Sequence, residues 1–187
     1  MTSLNTQTSF VPGRQQQMAT RVAFFIAGFG IAAWAPLVPY AKARAGLDEG
    51  TLGLLLLCLG VGSILAMPLA GALSARFGCR RVMMGGTVLI CTALPLLATV
   101  SSVPALIASL FMFGAGLGTV DSTVNLQAVI VERASGKTMM SGFHGLFSLG
   151  GIVGAAGVSG LLGLGLSPLA AMLVVVVMLI AALVKAA

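Results

Sequence analysis

Apolar residues gather in this chain in long unbroken runs rather than in alternation, most plainly over 51–70 and 82–100, with a basic segment at 71–81 between them. Each run has the roughly 20 residues that a helix needs to cross the hydrocarbon of a bilayer. The same pattern predicts six helices: about 21–40; one opening after Asp48-Glu49 and running through Pro68 to Ser74; 82–100; about 104–131; 138 to about 164; and one opening at Ser167-Pro168 and ending at Lys185. Residues 1–18 are polar and lack apolar periodicity, which marks a disordered cytoplasmic tail and leaves 19–187 as the bundle. The predicted fold class is all-α, a polytopic membrane protein with six transmembrane helices in one bundle.

Local signals refine these elements. Pro36 and Pro39 should bend the far end of the first helix, with Trp34 and Tyr40 placed toward the interface. Asp48 can cap the second helix and sits well at its positive end. Pro95 predicts a kink in the third. The segment 71–81 reads as a tight turn at a membrane surface, and 132–137 as a polar loop.

Charge supplies the orientation. Six crossings put both termini on one side, together with Arg14, Arg21, Arg76, Arg80, Arg81, Arg133, Lys137 and Lys185, and leave only Lys42 and Arg44 opposite. Basic residues accumulate on cytoplasmic loops, so both termini are expected in the cytoplasm. Composition agrees: 58% of residues are hydrophobic and 7% charged, against about 25% charged in a soluble domain. The net charge of +6 lies at the ends of apolar runs, where it marks topology rather than a nucleic-acid partner. Cys58, Cys79 and Cys91 show no paired spacing, so neither a disulfide framework nor a metal site is expected, and nothing implies a cofactor.

Candidate chemistry lies on the fourth and fifth helices. Gly114, Gly118, Asp121, Asn125, Ala128 and Glu132 follow steps of four and three and share one face. An ionisable group inside an apolar span is costly unless paired, protonated or hydrated, which makes Asp121 a candidate for a substrate or proton path. His144 and Ser148 repeat the spacing on the fifth helix at matching depth, and imidazole is a suitable proton carrier. Glu132, Arg133 and Lys137 sit where charged side chains reach water. The glycines at 28, 30, 60, 62, 150 and 154 read as packing contacts.

On these residues the chain resembles the N-terminal six-helix half of a transporter of the major facilitator superfamily. The family pattern Gly-x-Leu-x-Asp-Arg-x-Gly-Arg-Arg is met at Gly71, Leu73, Arg76, Gly78 and Arg80, whereas Ala75 stands at its aspartate and Cys79 at its first arginine after the second glycine. The run from Gly118 through Asp121, Asn125, Gln127, Glu132, His144 and Ser148 to Gly154 is similar to a bacterial, sugar-permease-like branch. The resemblance implies a secondary active transporter in a bacterial inner membrane rather than an enzyme. It moves a small solute, proton-coupled in one version, by alternating access, with the turn at Gly71, Arg76, Gly78 and Arg80 acting in gating. Family members have twelve helices in two halves. The chain therefore reads as truncated, its partner being a missing C-terminal six-helix half or a second parallel copy within the lipid bilayer. The alternative is a non-transporting scaffold or inactive fragment. A serine protease is a remote third, because Ser159 and His144 lie roughly 22 Å apart along one helix and a base must be within about 3 Å.

Overall fold

Long apolar runs become helices because, away from water, a backbone can satisfy its amides within its own coil. The computed structural model describes residues 14–186. It contains α1 (Arg14–Ala32), α2 (Val38–Ala45), α3 (Glu49–Phe77), α4 (Cys79–Thr99), α5 (Val103–Ser135), α6 (Met140–Gly163) and α7 (Pro168–Ala186), with no strand among the described residues. Helix α1 begins at Arg14, so residues 14–18 of the expected tail are helical; the rest of that tail, 1–13, lies outside the described residues, as does the Lys185 side chain. Spans long and apolar enough to cross a membrane are Arg14–Ala45, α3, α4, α5 and α6, while the apolar stretch Pro168–Val184 of α7 is shorter.

The breaks follow local chemistry. Pro36 and Pro39, with fixed φ and no N–H, replace the α-helical ladder by the 3-10 turn Ala35–Leu37. At the head of α3, Asp48 accepts the Thr51 backbone N–H and the Thr51 hydroxyl, both at 2.8 Å, as its capping role predicts. Between α3 and α4 the turn is narrower than the sequence suggests. Gly78 alone leaves helical geometry, at φ 83°, where a side chain would be strained. The polar stretch expected as a loop after the fourth helix also remains helical through Ser135, and the chain turns at Gly136, φ 66°. Trp34 is buried against Phe113, with ring centroids 6.4 Å apart.

Two glycine seams assemble the bundle. On α1 and α6, a Cβ at Gly28 would lie 2.8 Å from the carbonyl carbon of Phe147, and one at Gly150 would lie 2.9 Å from that of Phe25. On α3 and α5, a Cβ at Gly114 would lie 2.7 Å from the carbonyl carbon of Leu59, and one at Gly118 would lie 2.8 Å from Cα of Ser63. Small residues let the backbones touch, the favoured contact where lipid leaves little hydrophobic drive for helices to associate. Helix α4 closes on α5 through Gly86 and Gly116, and α7 packs on α4. The first span thus packs on the fifth as the fourth packs on the second.

The ends of the helices sort by charge. Arg44 at the end of α2 donates to the carbonyls of Leu97 (2.8 Å), Ala98 (3.0 Å) and Val100 (3.0 Å), so it caps the C-terminus of α4. Lys42 pairs with Glu49. These contacts fix the ends of α2 and α4 and the start of α3 together, opposite the Gly78 and Gly136 turns.

The seams predict a contrast between two glycines. Gly114→Ala should lower stability in detergent by about 1–3 kcal/mol through overpacking. Gly60, which faces nothing within 4 Å, should accept alanine with no loss. Thermal unfolding of both variants measures this, and equal midpoints would remove the seam from the account.

Candidate functional site

The polar face of α5 continues its glycine seam. Beyond Gly118 come Asp121 and Asn125, both half-buried. Asn125 Nδ2 donates to the Asp121 backbone carbonyl at 2.9 Å and approaches its Oδ1 at 3.3 Å. The carboxylate thus has an amide beside it and no cation paired with it among the described residues. Such a group can hold or release a proton, or accept a hydrogen bond from a solute, once water or a partner reaches it.

His144 and Ser148 form a second pair, apart from the first. Helix α6 lies mainly on α1, and α5 mainly on α3 and α4, so the faces that share a depth do not pack together. The His144 ring stands edge-on to Phe24 of α1, with centroids 5.5 Å apart, and Phe24 in turn stacks on Phe143 at 5.3 Å. Both His144 and Ser148 are exposed, and among the described residues no hydrogen bond joins them to Asp121 or Asn125.

The turn from α3 to α4 is open. A Cβ placed on Gly71 would meet nothing within 4 Å, Arg76 lies 5.1 Å from the centre of the Phe77 ring, and Arg80 is exposed in the first turn of α4. Neither arginine makes an ion pair among the described residues. Ser74, one turn before Gly78, is buried with no hydrogen-bond partner for its hydroxyl among the described residues.

Like Arg44, one more polar residue has a role that the sequence did not disclose. Glu132 stands in the last turn of α5, where surface exposure was expected. Its Oε2 accepts the backbone N–H groups of Met139 (2.5 Å) and Met140 (2.7 Å), the free amides at the head of α6. A carboxylate at that positive end is well placed electrostatically. Sequence capping patterns look three residues ahead, whereas this acceptor comes from the preceding helix.

Comparison with known proteins places these features in a family. The profile described as Major Facilitator Superfamily matches residues 22–187. An uncharacterized MFS-type transporter of Yersinia pestis is 57% identical over 180 residues, covering 96% of this chain and 47% of the relative. An uncharacterized transporter of Sinorhizobium fredii is 34% identical over 72% of this chain and 36% of its own length. Membrane protein MosC of Rhizobium meliloti is 34% identical over 76% of this chain and 35% of its own. The chain spans about half the length, or less, of these relatives.

The Glu132 cap can be tested directly. Glu132→Ala should cost about 1–3 kcal/mol and speed amide exchange at Met139 and Met140, and Glu132→Gln, which keeps an acceptor, should cost less. Unchanged exchange at those two amides in the alanine variant would refute the cap.

Proposed function

We propose, for a chain that belongs to the Major Facilitator Superfamily, that it forms one half of a secondary active transporter carrying a small solute across a bacterial inner membrane by alternating access. The observation that carries this reading is the half-buried Asp121 and Asn125 pair inside the apolar span of α5. An intramembrane carboxylate without a cationic partner is an uncommon expense for a purely structural helix. In this reading the pair on α5 lines the polar path, and exposed His144 and Ser148 contribute to it separately from α6, with His144 as a candidate proton carrier.

In this reading α7 completes six crossings and both termini lie in the cytoplasm. The opposing wall of the path is a second six-helix unit, supplied by further chain or by a parallel copy. The length ratio to the relatives supports a half, and so does the exposure of Leu54, Leu57, Ile64 and Leu65 on α3 and of Leu149 and Ile152 on α6. Gly71, Arg76, Gly78 and Arg80 form the gating turn. Their arginines lack acidic partners within the described chain and meet them on the other half when the gate closes.

Proteoliposomes holding the chain with its second half, loaded with a pH-sensitive dye and offered a panel of monosaccharides, test the activity. One solute should evoke a proton flux that Asp121→Asn abolishes at equal protein content. Unchanged flux in that variant would return Asp121 to a structural role. Single thiols at positions 42 and 80, in a background lacking Cys58, Cys79 and Cys91, should label from opposite sides of intact cells. Labelling from one side would overturn the crossing pattern.

A further inference from the structure

A cavity of about 260 Å³ opens at the basic end of the bundle, between α1, α4, α5 and the end of α7. A smaller one of about 50 Å³ lies deeper between the same helices, and both are lined by Ala23, Met83 and Leu183, so they form one trough. Its two ends differ chemically. The mouth carries Gln16, Thr20, Arg80, Thr123 and Gln127, whereas the deep end is walled by Ile26, Ile90, Val120 and Leu179.

The mouth is free to receive an anion. Thr20 and Thr123 donate to carbonyls of their own helices, at 2.9 and 2.6 Å, which leaves Arg80, Gln16 and Gln127 as its available donors among the described residues. Among the described residues no acidic side chain lines either part. A guanidinium presents paired N–H groups that match a phosphate. Along α1 the trough extends from Gln16 to Gly30, roughly 21 Å of helix, and below the mouth it offers hydrocarbon walls. A small soluble anion would leave those walls uncovered, and an uncharged hydrocarbon would leave Arg80 unmatched. Asp121, Asn125, His144 and Ser148 are not among the lining residues, so the trough is separate from the proposed solute path.

We propose that this trough is a binding site for a single anionic phospholipid of the leaflet at the basic end. Its phosphate meets the Arg80 guanidinium, Gln16 and Gln127 flank the headgroup, and one acyl chain lies between α1 and α7 over α4. The site ties the head of α4, and with it the Gly78 turn, to the composition of the surrounding leaflet.

Native mass spectrometry of the purified, delipidated chain in detergent tests this. It would be titrated with phosphatidylglycerol or with phosphatidylcholine of the same acyl composition. Phosphatidylglycerol should bind in a 1:1 adduct about fivefold more tightly, the effect of one cation near an anionic headgroup. Arg80→Gln should erase that preference with helix content unchanged by circular dichroism, Arg80→Lys should retain part of it, and Arg81→Gln, outside the trough, should leave it intact. Ala23→Phe should block both lipids, and Ala19→Phe at the mouth is the second variant should the first fail to fold. Equal affinity for the two lipids, an equal loss in Arg81→Gln, unimpeded binding in both phenylalanine variants, or full competition by glycerol phosphate at equal concentration would each overturn the site.

Discussion

Direct contact between helix backbones, with no side chain between them, is the constraint on which this bundle depends. In lipid an apolar side chain gains little by leaving one hydrocarbon surface for another, so association rests on close van der Waals contact and on polar groups that find partners. Gly28, Gly150 and Gly154 bring α1 and α6 to that distance, and Gly62, Gly114 and Gly118 do the same for α3 and α5. One kind of seam thus serves twice, holding the first span on the fifth and the fourth on the second. It also explains why α3 and α6 are so exposed: each has one narrow face held by glycine contacts and broad leucine- and isoleucine-rich flanks beyond it.

Within this frame, polar groups are satisfied mainly locally or across one helix end, with Ser122 of α5 reaching the Met67 carbonyl of α3 at 3.5 Å. Hydroxyls of Thr20, Thr87, Ser109, Thr119 and Thr123 donate to carbonyls in the preceding turn. Glu132 and Arg44 use charge to complete the ladders of α6 and α4, each reaching an end whose partial charge is opposite to its own. Against that background Asp121 and Ser74 stand out, among the described residues one having only an amide beside it and the other no partner. Both lie on helices that the proposed function sets against moving or hydrated surfaces.

Much of the architecture was legible in the residues. Run lengths gave five apolar spans, the prolines at 36 and 39 gave a bend that proves to be a break, Asp48 gave a cap, and small-residue spacing gave seams on α1, α5 and α6. Gly60, read with the others as a packing contact, faces open space, because spacing alone does not say which side of a helix meets a neighbour. The same limit applies to His144. Periodicity gave it a depth and a face, while the choice of neighbour, Phe24 rather than α5, is made by the seam at Gly150. Glu132, Arg44 and Trp34 were obscure for a related reason. Their partners are 7 to 79 residues away in sequence, and no local pattern encodes such a meeting.

The two cations at the Arg44 end are therefore engaged, one by three carbonyls and one by a carboxylate. Arg14, Arg21, Arg76, Arg80, Arg81, Arg133 and Lys137 make no ion pair among the described residues. The two poles differ in the availability of their donors as well as in their number of cations, since hydrogen bonding and pairing occupy the donors at one end and, among the described residues, no ion pair occupies those at the other. A negatively charged surface would meet open donors at one pole of such a body and occupied ones at the other.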